Sequence, residues 1–183
     1  MSGFRTKTAW LVKTCLVWAA VLALAGCAKP EMGQVNLDEV QDGDIVAAVK
    51  RGTLSFDTGI TVGDAFDHYG GFVVKWNKWE HFRTQNRRNI VEFRGPLDLR
   101  QANLSDAETD RIEKAELLVQ FAVKVDGGLE VRYMSMVLKA VGGPQKEYTI
   151  SKGKQDHYLK AIYGNYKFSN TRCEFIIESI ILN

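Results

Sequence analysis

The chain is poor in the residues on which most recognisable chemistry depends. Its three histidines, His68, His81 and His157, stand apart, and none has a second histidine or a cysteine at metal-ligand spacing. No G-x-S-x-G elbow surrounds Ser55, Ser105, Ser135 or Ser151, which excludes the common hydrolase arrangement. A P-loop and a dinucleotide fingerprint are both missing, and the paired glycines at 70–71, 127–128 and 142–143 sit where turns or helix ends belong. The carboxylates of 106–110, "DAETD", lie in a charged stretch that reads as exposed, whereas an acid–base pair works from a cleft that raises one pKa by burial. Asp64, Asp67 and His68 share one short helix and read as its solvated face. Internal repeats and low-complexity tracts are also missing. No catalytic residue, metal or cofactor is expected, and the chain is read as a non-enzyme.

What the chain does have begins at its N-terminus. The first 13 residues carry Arg5, Lys7 and Lys13 with no acidic side chain, and an unbroken apolar run follows from Cys15 to Ala25. A positive region, a short apolar region and small residues at its end make a secretory signal. The run is too short to span a bilayer, which needs about 20 residues in a helix. It ends in Leu24-Ala25-Gly26-Cys27, which resembles a bacterial lipobox: an aliphatic residue, two small ones, then cysteine. The resemblance implies cleavage after Gly26, a diacylglycerol on the Cys27 thiol and an acylated new N-terminus. Each buried methylene contributes about 0.8 kcal/mol, and stable anchoring takes more than one chain, so a triacylated Cys27 tethers the protein without a transmembrane helix. By resemblance to lipoprotein sorting rules, Ala28 after the cysteine favours the outer membrane, with the domain in the periplasm or at the cell surface.

Removing residues 1–26 takes away three of the 24 basic residues and none of the 22 acidic ones, leaving 21 against 22. The basic balance of the whole chain thus belongs partly to the signal, and a nucleic-acid partner is not expected. With Cys15 removed and Cys27 lipidated, Cys173 has no partner in its own chain, which excludes a disulfide framework. Its apolar neighbours, "CEFIIESIIL" (173–182), point to a buried thiol, with an intermolecular one as the alternative.

Residues 27–41 read as a lipidated N-terminus and flexible tether, and 42–183 as a single domain. Residues 42–52 place Ile45, Val46 and Val49 on one side of a short helix that stops at Gly52. In "TVGDAFDHYGG" (61–71), Thr61 caps a helix, Asp64 holds the capping-box position, and Val62, Ala65, Phe66 and Tyr69 form its apolar side before Gly70 closes it. Two hairpins follow, 78–84 with 89–95 and the alternating halves of 116–141 around Asp126-Gly127-Gly128. The acidic stretch 104–116 between them, with a cap signal at Ser105, reads as an exposed loop, with a helical turn within it as the alternative. Residues 151–164 suggest a helix ending near Gly164, and 173–182 a strand. The expected fold class is α+β: an antiparallel sheet of four to five strands with two or three short helices packed on one face.

The residues Thr61, Val62, Gly63, Ala65, Phe66, Trp79 and Val91-Glu92-Phe93-Arg94-Gly95 resemble the pattern of a small uncharacterised α+β domain of bacterial secreted and membrane-anchored proteins. The likeness covers about residues 45–138 and implies fold, with no catalytic residue to carry over; 145–183 departs from it. The small α+β lipoproteins of outer-membrane assembly machines have a similar layout without a motif match. The richest functional signal is the first hairpin, where Arg83, Arg87 and Arg88 accompany Trp76 and Trp79. Aromatic anchors ringed by arginine are enriched at protein interfaces, and the same mixture could meet lipid phosphates or anionic glycans. The bland alternative is that Trp79 packs as core and the cations form a solvated face. The expected role is a non-enzymatic binding or adaptor module for another envelope component, most simply a protein. A structural protein contacting peptidoglycan or a larger assembly, and an envelope enzyme with an unrecognised site near His81 or His157, are the rivals.

The lipobox reading has a direct test. Cys27→Ala is expected to leave the domain folded but unlipidated. Fractionation of cells should then find it unprocessed or soluble, and a mature-sized protein still in the membrane fraction would contradict the reading.

Overall fold

A computed structural model describes residues 45–101, 104–124 and 126–167. The signal, Cys27, the tether, Cys173 and the strand expected at 173–182 lie outside the described residues. Four α-helices and one five-stranded sheet make up the described fold: α1 (Ile45–Arg51), α2 (Val62–Asp67), β1 (Lys78–Arg83), β2 (Asn89–Pro96), α3 (Asp106–Thr109), β3 (Ile112–Val123), β4 (Leu129–Ala140), β5 (Gln145–Thr149) and α4 (Lys152–Tyr163). The strands run β1-β2-β3-β4-β5 in space as in sequence, every neighbour antiparallel. This is the α+β arrangement that the alternation of apolar residues predicts.

Period-two alternation divides the sheet into two faces. Trp79, Val91, Phe93, Leu117, Val119, Phe121, Met134, Met136 and Leu138 turn toward α1, α2 and α4 and join them in one apolar core. From the helices come Ile45 and Val49, Val62, Ala65 and Phe66, and Tyr158, Leu159 and Ile162. Among the described residues no helix is long and apolar enough to cross a membrane.

The expected cap of α2 is present. The Thr61 hydroxyl accepts from the Asp64 amide at 3.0 Å and donates to the Asp64 carboxylate at 2.7 Å. The helix stops at Asp67 with His68 as its cap residue, rather than at Gly70, whose amide instead donates to the Asn165 side chain at 2.8 Å. The glycines of the two motifs have packing reasons. A Cβ on Gly63 would come within 3.0 Å of the Lys50 backbone carbonyl and side chain, so Gly63 lets α1 and α2 cross closely. A Cβ on Gly95 would lie 2.6 Å from the Phe93 ring and 2.9 Å from Phe72, so the space beside Gly95 already belongs to two aromatic rings. Thr-Val-Gly-x-Ala-Phe and Val-x-Phe-x-Gly are thus the signatures of one helix lying on one sheet.

Two stretches differ from the sequence-based expectation. Ser105 and Glu108 close a full capping box on α3, but the chain then enters β3 at Ile112, inside the stretch expected to be a loop. Charge at Glu113, Lys114 and Glu116 concealed the strand: Glu113 pairs with Lys139 on β4, Glu116 with Arg94 on β2, and Lys114 with Glu116 on its own strand. Strand β5, "QKEYT", has no apolar alternation to read, since only Tyr148 of its five residues is apolar.

Phe66 is fully buried, and its ring meets those of Phe72, Trp79, Phe93, Phe121 and Tyr163 at centroid distances of 4.9 to 6.5 Å. Truncating a buried phenylalanine costs roughly 3–5 kcal/mol. Phe66→Ala is expected to lower stability by about that amount in chemical denaturation. A loss under about 1 kcal/mol would show that the helix does not depend on this ring.

Candidate functional site

The first hairpin forms one edge of the sheet, and its connection explains how its side chains are presented. Thr84 and Arg88 close the turn: the Thr84 amide donates to the Arg88 carbonyl at 3.0 Å, and the Arg87 amide to the Thr84 carbonyl at 2.8 Å. The Thr84 hydroxyl also accepts from the Arg88 amide at 3.1 Å. Arg87 sits at φ 58°, in the left-handed region that favours glycine. An arginine held there at some conformational cost keeps its cation at the hairpin tip. Arg83, Arg87 and Arg88 are exposed, and Arg83 Nε donates to Asn89 Oδ1 at 3.1 Å, an oxygen also 3.1 Å from His81 Nε2.

The structure separates the two tryptophans. Trp79 faces the helices, with its ring 4.8 Å from Phe93 and 6.0 Å from Phe66. Its indole N–H donates to Asp67 Oδ1 at 2.9 Å, the second oxygen of Asp67 pairs with Lys50 Nζ at 2.5 Å, and that ammonium lies 5.3 Å from the Trp79 ring centroid. This triad fastens α1, α2 and β1 together. Trp76 instead ends a 3₁₀ turn, Val74–Trp76, at the other end of β1 from the hairpin tip. Trp76 is 58% exposed, with Lys75 Nζ 5.4 Å from its ring centroid. Trp76 and the arginines of the turn are therefore not one cluster. They flank a six-residue strand that rises about 3.3 Å per residue, so about 16 Å of strand lies between them.

A second arrangement, on the sheet face opposite α1, α2 and α4, was not anticipated. Arg94 on β2 donates through Nε to Glu92 Oε1 at 2.7 Å, and Gln120 on β3 donates to the other Glu92 oxygen at 2.8 Å. Arg94 Nη1 lies 3.7 Å from Glu116 Oε2, and Lys114 Nζ approaches the same oxygen at 2.9 Å, an ionic contact off the direction of a hydrogen bond. Burial works against the Arg94 charge, but the hydrogen bond and charge of Glu92, with Glu116 and Glu80 behind, outweigh it and raise its pKa. On β4 and β5, Ser135 donates to Glu147 Oε1 at 2.7 Å and Tyr133 to the same oxygen at 2.9 Å. These bonds, Ser135 first, hold the Glu147 carboxyl below its ordinary value of 4.5. The signal in the sequence was the recurrence of Glu92, Glu116 and Gln120 at alternate strand positions beside Arg94, where one cation meets several acceptors.

The ladder is spent on itself, its carboxylates already held by cations, amides and hydroxyls. Ser135, the one hydroxyl with a carboxylate acceptor in this row that is also fully buried, is closed to a substrate. Among the described residues no group of three or more histidine, cysteine, aspartate or glutamate side chains is placed to hold a metal ion. His68 Nδ1 lies 3.1 Å from the Asp64 carbonyl within its own helix. No family model, curated protein or solved structure matches the chain.

The hydroxyls around Glu147 generate a pH-dependent prediction. A carboxyl lowered on folding adds stability that is present above its unfolded pKa and lost as pH falls through the folded one. In Ser135→Ala, Glu147 is expected to titrate closer to 4.5, and the stability lost on acidification should shrink. Carbon-detected NMR titration checks this; an unmoved Glu147 would show that Ser135 does not hold it.

Proposed function

We propose that the protein is a lipid-anchored component of the bacterial outer membrane whose folded domain binds another envelope protein and performs no chemistry of its own. One observation carries the binding part. Val74 is 46%, Trp76 58% and Phe82 40% exposed, and these three large apolar side chains fall within nine consecutive residues, the first two on the 3₁₀ turn that leads into β1 and Phe82 on β1 itself. Single exposed apolar residues are ordinary, but three on a turn and the strand it leads into mark an interaction surface. Residues 74–88 also hold Lys75, Lys78, Arg83, Arg87 and Arg88 against Glu80 alone. Aromatic residues beside arginine are the composition of interface centres, and charge of one sign adds partner choice and association rate. The near-neutral chain that remains after removal of the signal argues against a nucleic-acid partner.

The lipobox supports the anchor. The inward-facing Trp79 supports the domain as a rigid platform for the edge, and its place in that platform is to orient β1 rather than to touch the partner.

Purification of the lipidated protein from gently solubilised membranes, followed by mass spectrometry, tests the reading. One stoichiometric envelope protein is expected with the native chain and is expected to be depleted at least several-fold by Arg83→Glu, Arg87→Glu and Arg88→Glu together. Equal recovery from both, or no protein partner from either, would overturn it.

A further inference from the structure

Among the described residues β1 has a neighbouring strand on one side only, β2. In an antiparallel ladder alternate residues turn their N–H and C=O groups away from the existing partner, so an edge strand presents a ready template for another strand. Natural edges are usually blunted by shortness, charge or a bulge. Here the register from Lys78↔Arg94 to Arg83↔Asn89 runs without a bulge, and the edge carries Phe82 in addition to its charges. Lys78, Glu80 and Phe82 share one face of β1, and Trp76 stands just before its first residue.

We propose, resting on the adaptor reading above, that the partner is bound through an extended acidic segment that adds to β1 as a sixth strand. Main-chain hydrogen bonds to the edge would supply the affinity common to all such complexes, and alternate side chains the specificity. Lys78 favours an acidic residue directly across, since opposite charges in cross-strand pairs attract. Phe82 favours an aromatic or β-branched residue across from it. Lys75 at one end of the strand and Arg87 and Arg88 at the other are placed for carboxylates at the two ends of the added segment. Trp76, rigid and half in solvent, would cap it by packing on an apolar side chain. The expected ligand is thus an extended segment of about six to eight residues, acidic toward both ends, apolar between and without proline on the bonded side.

The test uses the full chain in detergent, immobilised and screened against a displayed library of random twelve-residue peptides. Enriched peptides are expected to share that acidic and apolar pattern. Resynthesis with N-methyl groups on alternate residues should then give opposite results in the two possible sets: one set loses binding about tenfold or more, the other keeps it, because only every second residue bonds to β1. Trp76→Ala, at an exposed position, is expected to weaken binding about tenfold, the scale of an interface anchor. Arg87→Gly preserves and relaxes the turn while removing the tip charge, and is expected to weaken binding several-fold without loss of fold. No enrichment, enriched peptides lacking acidic residues, or equal tolerance of N-methylation in both sets would overturn strand addition. Binding of phosphatidylglycerol vesicles that is lost in Trp76→Ala, with no peptide enriched, would overturn it in favour of a lipid surface. If purification from membranes still yields a partner sensitive to the arginines, only the strand-addition inference falls; if it yields none, the adaptor reading falls with it.

Discussion

The burial of one aromatic ring organises this domain. Phe66 reaches from a helix of six residues into the middle of a five-stranded sheet and is surrounded there by five other rings. So short a helix has little stability of its own, because nucleation is costly and few bonds repay it. Its cap at Thr61 and the close crossing allowed by Gly63 set its start and angle, and the ring converts them into tertiary contact. Asp67, one residue beyond Phe66, is thereby brought to the Trp79 indole and the Lys50 ammonium. Once Trp79 is fixed inward, the pleat of β1 turns Lys78, Glu80 and Phe82 the other way. The orientation of the edge is a consequence of how the core is packed.

The two faces of the sheet solve different problems. The inner face is apolar and aromatic, and its contributions come from burial and ring contact. The opposite face mixes Ile90, Leu118 and Val137, all buried, with Glu92, Glu116 and Ser135, also buried. A buried carboxylate is tolerated when donors or cations compensate it: Arg94 and Gln120 donate to Glu92, and Lys114 and Arg94 give Glu116 Oε2 ionic contacts without a hydrogen bond. Such a row adds little net stability compared with an apolar one, but its directed bonds resist slippage of one strand past the next. It ties β2 to β3 and β4 to β5, away from the edge proposed as the binding surface.

Much of the fold was legible in the sequence because it rests on local rules. The i, i+3, i+4 spacing of Val62, Ala65 and Phe66, the Thr61 cap, and the alternation from Leu117 to Val125 each read directly onto the structure up to Val123. Strand β5 and the first four residues of β3 were not legible, since their stability comes from partners across the sheet that a single strand does not reveal. The candidate site was readable in composition but not in geometry. Trp76 and Trp79 look equivalent as residues, yet three positions apart one lies before the strand in a 3₁₀ turn and the other faces the helices. The contacts of Arg94 with Glu116 and of Gln120 with Glu92 depended on register, which no propensity encodes.

The central claim is that the β1 edge, rather than the sheet as a whole, is the working surface of the domain. Photo-crosslinking in living cells tests it most directly, with the reactive side chain placed at Phe82 on one edge of the sheet or at Lys146 on β5 at the other. The account expects a single protein adduct from position 82 and none from position 146. Adducts from both positions, or from 146 alone, would contradict it.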